Sequence, residues 1–298
     1  MSEAEAKSGD RENKIRRFID RMPSLPTTVT KVLEVCNRPD TSANDLNRVI
    51  SLDPVLTGQV LKLINSAYYS LPNHIGSLTR AIILLGINTV KNLALSTAVL
   101  GSMSREDSFH SLQMDAFWTH SLGVGVTAKA LATHRGVESR MREEFFVAGL
   151  LHDLGKIPLN ACYSQLYREA LELAQEEKIP LNVAELRVLN LDHGEVGRMI
   201  GEKWQLNSEL VELMAGHHRP EEMPPEVRPL AGLIGLADAY VNLQEIGSAG
   251  NLYPDKGGLK KLLVAARMSW QNMLDLTPEV GREIEKARVF LAVAGKKG

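Results

Sequence analysis

The sequence has little of several features that mark particular protein classes. It contains two cysteines, Cys36 and Cys162, far apart in the chain, so it indicates no disulfide framework and fits a reducing compartment. It has no run of about 18 or more apolar residues, which argues against an ordinary membrane-spanning helix. The first residues, MSEAEAKSGDRENK, are polar and of mixed charge, unlike a signal or transit peptide. We therefore expect a cytoplasmic protein that does not enter a membrane.

An excess of charge of one sign is also missing. The chain has 34 basic and 36 acidic residues and a formal net charge of −2. This balance gives no electrostatic footprint of a nucleic-acid binder, so nucleic acid is the least favoured partner. Hydrophobic residues make up 44% and charged residues 23%, which is typical of a globular protein with a substantial core.

The sequence also shows neither the alternating apolar pattern of β-strands nor internal repeats. Instead, apolar residues recur at the helical spacing, and helix start signals are frequent. Ser42 with Asp45 forms a capping-box pattern, Asp53 precedes a proline at the first helical position, and Ser77 is a further N-cap. We predict an all-α fold, in which an N-terminal bundle of about five helices packs on a second helical domain, followed by a C-terminal helical extension.

Polar stretches suggest the division of the chain. The sequence GSMSREDSFHS at 101–111 is the best candidate for an internal boundary, and GSAGNLYPDKGG at 247–258 is a loop. We predict a disordered tail at 1–12, an N-terminal helical part at 13–110, a metal-binding helical part at 111–245 and a helical extension at 246–298. Residues 259–298 carry no motif that indicates their role.

One motif needs to be set aside. Residues 123–128, GVGVTA, fit the GxGxxA fingerprint of dinucleotide-binding proteins. That fingerprint requires a preceding strand within a βαβ unit, whereas DAFWTH here continues a helical pattern. We interpret Gly123 and Gly125 as positions of close helix packing.

The segment LLHDLGKIPL at 150–159 places polar groups in apolar surroundings. His152, Asp153 and Lys156 follow two leucines, and Pro158 is predicted to end the helix. Lys156 follows His152 by four positions, so on one helix the two side chains would share a face. Burying such groups costs several kcal/mol unless they are paired or bind a metal.

Other polar residues interrupt apolar helical faces in the same way. His120 lies in MDAFWTHSLGVGV, His193 opens a helix, His217 and His218 end one, and Asp238 lies within LIGLADAYVNL. The remaining histidines, His74, His110 and His134, lie in polar loops or at helix ends and are expected at the surface.

Taken singly, most of these residues have a structural explanation. A buried histidine such as His193 commonly bonds to a carbonyl, and His217 and His218 would complement a helix dipole. Lys156 would simply be a surface lysine. Asp238 is harder to explain, because it lies in mid-helix with nothing to cap.

Taken together, a metal centre explains them better. Histidine and carboxylate ligands without thiolate suit Fe or Mn, with Zn or Ni as alternatives. Seven ligands exceed one tetrahedral site but match two divalent metals about 3.5–4 Å apart with a bridging carboxylate, for which Asp153 is the candidate. The candidate ligands are His120, His152, Asp153, His193, His217, His218 and Asp238.

The order of these residues resembles the HD phosphohydrolase superfamily, and HDLGK at 152–156 resembles its bacterial HD-GYP branch. The segments MPSLPTTVTKVLEVCN, ISLDPVLTGQVLKLINSAYYS and SLTRAIILLGINTVKNLAL are similar to the HDOD domain of bacterial signalling proteins. The resemblance covers about residues 20–242. It implies that Lys156 lies beside a substrate phosphate. The Gly-Tyr-Pro motif of HD-GYP enzymes is missing after His218, so recognition of cyclic di-GMP is not implied. Ala116 stands where some of them place a third-metal glutamate, so two metals are expected.

Two functions remain open. The first is a regulatory HDOD protein of bacterial signalling that binds two metals and acts through protein partners. The alternative is a metal-dependent phosphodiesterase or phosphohydrolase acting on a nucleotide or cyclic dinucleotide, in which Asp153 and Lys156 take part in catalysis. We prefer the first, because HDOD proteins are generally regarded as regulatory modules. The sequence does not indicate the oligomeric state.

Overall fold

The computed structural model describes residues 3–103, 110–253 and 256–294, and every regular element in these ranges is a helix. The first half contains α1 (Glu3–Arg21), α2 (Thr27–Cys36), α3 (Ala43–Ile50), α4 (Pro54–Ile64), α5 (Leu78–Leu85), α6 (Ile87–Met103), α7 (Met114–His134) and α8 (Arg142–Leu151). The second half contains α9 (Lys156–Cys162), α10 (Ser164–Glu177), α11 (Leu181–Leu189), α12 (His193–Lys203), α13 (Ser208–Gly216), α14 (Arg228–Leu243), α15 (Lys256–Ala266), α16 (Trp270–Ala287) and α17 (Val289–Ala294). The predicted all-α fold is confirmed.

The predicted helix starts in the N-terminal bundle are also correct. Ser42 and Asp45 form a capping box at α3, and the Asp53 carboxylate accepts the Leu56 backbone N–H at 2.9 Å at the start of α4. Ser77 accepts the Arg80 backbone N–H at the start of α5. These caps satisfy N–H groups that have no partner within the helix, so they fix where each helix begins.

The N-terminus differs from the expected disordered tail of residues 1–12. Residues 1–2 lie outside the described ranges, but α1 already begins at Glu3. Its glutamate and alanine residues favour helix, and its later turns bury Ile15 and Ile19. At its C-terminal end, the Lys203 amino group of α12 donates to the carbonyls of Ile19 and Asp20. Packing on the predicted metal-binding part thus adds tertiary stabilisation to a helix that its composition already favours.

Helices α7 and α8 form the centre of the metal-binding part, and their backbones touch. A Cβ atom added to Gly125 would lie 2.6 Å from the Phe146 carbonyl oxygen, and one added to Gly149 would lie 2.7 Å from the Gly125 Cα atom. Only glycine fits at such a distance. The GxGxxA stretch therefore serves helix packing, as interpreted from the sequence, and it brings the helices of His120 and His152 together.

The C-terminal extension packs on helices from both earlier parts of the chain. Helix α15 packs on α14, α16 on α7, and α17 on α4 and α6 of the N-terminal bundle. The extension therefore contacts both of the predicted parts that precede it. The predicted boundary at 101–111 falls largely on residues 104–109, which lie outside the described ranges, and the division into domains stays a prediction.

Among the described helices, none is by itself both long and apolar enough to span a membrane. Helices α5 and α6 meet the length and composition requirements only jointly, with a 117° bend between them.

Candidate metal centre

The HDLGK segment forms a tight turn between two helices. Helix α8 ends at Leu151, His152 caps it, and α9 begins at Lys156. The prediction that Pro158 ends the helix is wrong, because Pro158 lies in the first turn of α9, where its missing N–H has no helical partner to lose. His152 and Lys156 likewise do not share a helix face. The turn instead brings Lys156 against Asp153.

Four of the predicted ligands meet on one side of the centre. His120 Nε2 lies 3.1 Å from Asp238 Oδ1 and 3.6 Å from Asp153 Oδ2. His152 Nε2 lies 3.3 Å from Asp153 Oδ2 and 3.7 Å from Asp238 Oδ1. His120, His152 and Asp153 offer ligand atoms that lie within 4.8 Å of one another.

The other three predicted ligands form a second group. His193, His217 and His218 also offer atoms within 4.8 Å of one another, and His193 Nε2 lies 2.9 Å from His218 Nε2. Asp153 links the two groups, because its Oδ1 atom lies 3.3 Å from His193 Nε2 while its Oδ2 atom faces the first group. The structure thus brings all seven residues together and puts the predicted bridging carboxylate between the groups.

Protein contacts orient three of the histidine rings. His152 Nδ1 lies 2.7 Å from the Gly149 carbonyl oxygen, and His217 Nδ1 lies 2.6 Å from that of Met214. His193 Nδ1 lies 2.6 Å from Glu185 Oε2. A neutral ring that donates from Nδ1 keeps the lone pair on Nε2, so each ring presents a metal-binding atom to the centre.

The unsatisfied atoms of the centre provide a test of whether a metal fits. The Nε2 atoms of His120, His152 and His217 are buried and make no hydrogen bond of acceptable geometry among the described residues, and neither does Asp153 Oδ1. Buried polar atoms are normally satisfied, and four unsatisfied ones at a single point are costly. All four are nitrogen or carboxylate ligands that suit Fe, Mn, Zn or Ni. The residues present therefore fit the predicted metal centre.

The protonation states of the two aspartates and of His217 match this role. Burial alone would lower the pKa of His152, but Asp153 and Asp238 raise it to about 9, so a metal bound there would displace a proton from this ring. Burial alone would raise the pKa of Asp153, but His152 and Lys156 hold that pKa well below its usual value. Burial would likewise raise the pKa of Asp238, but the neighbouring His120 and His152 rings hold that pKa well below its usual value. Burial lowers the pKa of His217 to about 3. Ionised carboxylates and neutral imidazoles are the forms that bind metal.

Lys156 lies deeper than the sequence suggests. Its side chain is 1% exposed, and its amino group donates to Asp153 Oδ2 at 2.8 Å and to the Ala249 carbonyl oxygen at 3.0 Å. The loop at 247–251 therefore covers it. In this conformation Lys156 is the counter-ion of Asp153, the predicted bridging carboxylate.

Sequence reasoning missed Glu185 of α11. This residue is fully buried, and its Oε2 atom accepts both the backbone N–H of His193 and the Nδ1–H of the same ring. A carboxylate behind a metal-binding histidine fixes the ring and raises its basicity. The signal in the sequence was a lone glutamate within the apolar helix LNVAELRVL, eight residues before His193.

We expect Glu185→Gln to lower the affinity for metal by about 10-fold or more, because it removes the charge behind His193 while keeping the side-chain volume. Competition with a chromophoric chelator measures this affinity. The matched control is Glu176→Gln, an exposed glutamate on the neighbouring helix α10. Equal affinities of the two variants would contradict a role of Glu185 in the centre.

The three histidines that the sequence leaves outside the centre are indeed separate from it. His74, His110 and His134 are all exposed. Only histidines that interrupt apolar helical faces enter the site.

Comparisons of this chain with known proteins identify similar sequences and structures. A relative of uncharacterised function from Treponema pallidum (strain Nichols) is 24% identical over 223 residues, which are 75% of this chain and 42% of that protein. This chain thus spans less than half the length of that relative.

Solved structures share the fold. An HDOD domain protein of unknown function from Geobacter sulfurreducens is 25% identical with a TM-score of 0.74, covering 95% of this chain and 98% of that one. A protein from Shewanella amazonensis SB2B, provisionally described as a phosphohydrolase, is 22% identical with a TM-score of 0.70, covering 93% and 98% of the two chains. The profile of the HDOD domain matches residues 22–220, which is more than half of this chain. The chain belongs to the HDOD family.

Proposed function

We propose that the chain is a regulatory HDOD protein of bacterial signalling, that it acts in the cytoplasm through protein partners, and that it holds two divalent transition metals, Fe or Mn in the first place. The observation that carries the metal site is the convergence of unsatisfied buried Nε2 and carboxylate oxygen atoms in two groups joined by Asp153. His120, His152 and Asp238 would serve one metal, His193, His217 and His218 the other, and Asp153 both. Bound there, such metals supply Lewis acidity and activate water.

The contacts of Lys156 favour the regulatory role over catalysis. Stabilising a phosphoryl group requires a donor aimed at the place where negative charge develops. Lys156 instead directs its amino group to Asp153 and to the Ala249 carbonyl, with 1% of the side chain exposed. A substrate would reach this lysine only after the loop at 247–251 moves. The centre as it stands is suited to hold its metals and stabilise the fold.

A second candidate, a metal-dependent phosphohydrolase or phosphodiesterase, has one specific observation in its favour. A cleft of about 300 Å³ opens beside His218 and Asp238, so a small molecule can approach the metal-binding residues from solvent. The Shewanella structure provisionally described as a phosphohydrolase supports the same fold but, at 22% identity, no activity.

Metal content and turnover test the proposal together. We expect close to two metals per chain when the protein is prepared anaerobically with Fe or Mn supplied and measured by elemental analysis. Less than about half a metal per chain would contradict the metal centre. We expect no hydrolysis of cyclic dinucleotides, cyclic mononucleotides, nucleotides or an aryl phosphodiester. Turnover that Asp153→Ala abolishes would establish the second candidate instead.

A further inference from the structure

Two helices that are far apart in the sequence form the walls of the cleft beside the candidate metal ligands. One wall comes from α11 and the other from α15, a helix of the C-terminal extension. His218 and Asp238 lie at its inner side. Its volume of about 300 Å³ is at the lower end of small-molecule pockets, roughly 300–1,000 Å³. This size fits a single small ligand better than a dinucleotide.

Two asparagine side chains in this cleft have amide groups without a full set of partners among the described residues. Asn182 is 7% exposed, and its amide makes no hydrogen bond to any of the described residues. Asn251 is also 7% exposed; its Oδ1 atom accepts the Leu181 backbone N–H at 3.3 Å, and its NH₂ group has no acceptor in the described part of the chain. The unpaired amide atoms are not sealed from solvent, so a ligand in the cleft can reach their donors and acceptors.

The two amides lie close together. Asn251 is bonded to the residue immediately before Asn182 in α11, and both line the cleft. An amide side chain offers adjacent donor and acceptor atoms. The pair therefore presents the donors and acceptors that the polar edge of a nitrogen heterocycle requires.

The remaining lining of the cleft is mixed. Val183 and Leu186 of α11 and Leu259 and Leu262 of α15 are apolar. Charged groups come from Arg219, Glu221, Glu222 and Lys261. Proteins that read a single base hold its ring between apolar side chains while hydrogen bonds contact its edge. The apolar residues of the two helices, together with the two amides, provide this combination.

We propose that the cleft binds a mononucleotide-sized ligand whose heterocyclic base lies between α11 and α15 and is read by Asn182 and Asn251. The phosphate end of the ligand lies toward His218 and Asp238, and this part alone rests on the proposed metal centre. The C-terminal extension thereby gains a role, because α15 supplies one wall of the base site. In a regulatory protein such a ligand is a signal, and in an enzyme it is the substrate.

Equilibrium binding of AMP, GMP, CMP and UMP, compared with ribose 5-phosphate, tests this base site. Ribose 5-phosphate carries the same sugar and phosphate but no base. We expect at least one nucleotide to bind about 10-fold or more tightly than ribose 5-phosphate. Asn182→Leu should remove about this factor for the nucleotide and leave ribose 5-phosphate binding unchanged. Its thermal midpoint should not fall, because the substitution removes no hydrogen bond to a described residue and leucine favours helix.

The matched control is Asn44→Leu, at the same second helical position in α3 but exposed. It should leave all affinities unchanged. The inference is overturned if ribose 5-phosphate binds as tightly as every nucleotide, or if Asn182→Leu keeps the difference. Measuring both the metal-loaded and the chelated protein separates this result from the metal centre, because Asn182 is not among the predicted ligands. A protein that takes up no metal when metal is supplied, yet still discriminates between bases, would contradict only the proposed metal centre.

Discussion

Asp153→Ala should lower the free energy of unfolding of the metal-free protein by about 3–5 kcal/mol, the range for removing one partner of a buried ion pair. Lys156 and Asp153 are each 1% exposed, and their charged atoms lie 2.8 Å apart. After the substitution the ammonium group would keep the Ala249 carbonyl but have no counter-charge. The variant should also lose most of its bound metal, because Asp153 faces both groups of ligands. Urea unfolding with and without chelator measures the two effects separately.

A double substitution isolates the ion pair. Asp153→Ala combined with Lys156→Met removes both charges, so most of the lost stability of the metal-free protein should return, while metal binding should not. The exposed pair of Glu221 and Lys261 is the matched control, since Glu221→Ala should change stability by less than about 1 kcal/mol. An Asp153→Ala variant within about 1 kcal/mol of wild type in the metal-free state would refute the buried ion pair.

Gly155→Ala should have a comparably large effect through packing alone. A Cβ atom at position 155 would lie 1.9 Å from the carbonyl oxygen of His193, a backbone atom that cannot rotate away. Helices α9 and α12 would have to separate, at a cost of about 3 kcal/mol or more, the upper end for overpacking. His193 would move away from Asp153, and metal affinity should fall with stability. Thermal unfolding and elemental analysis measure these changes.

Gly197→Ala is the control for the same helix contact. A Cβ atom there meets nothing closer than 3.9 Å, so no clash arises. Because glycine disfavours helix interiors, alanine should raise stability by about 0.5–1 kcal/mol and leave metal binding intact. Similar losses in both variants would mean that general crowding, and not the approach of Gly155 to His193, determines the effect.

Local signals in the sequence predicted much of the fold. The caps at Ser42, Asp53 and Ser77 act over three residues, so a reader of the sequence can recognise them without knowing the tertiary structure. The first turns of helix α1 were missed because the helix is held by tertiary contacts, such as that of Lys203 far away in the chain. Pro158 was misread because a proline signals a helix start as readily as a helix end.

Some residues of the candidate site were likewise recognisable from local sequence signals, and others were not. Histidines and aspartates that interrupt apolar faces were visible as a set, and the structure brings all seven together. Glu185 and Asn182 were not visible, because both lie in the short helix α11 and only the tertiary structure places one behind His193 and the other in the cleft. The burial of Lys156 depends on the Ala249 carbonyl, which no spacing rule reveals.

The spread of the ligands along the chain links metal binding to folding. Successive ligands from His120 to Asp238 are separated by stretches of roughly 20–40 residues, apart from the two adjacent pairs. Unlike a disulfide, which persists in the unfolded chain, a metal pair held by all of them would bind only after these stretches have come together. The free energy of metal binding would therefore add to the folding free energy of the whole stretch from His120 to Asp238, and removal of the metals would weaken its helices together.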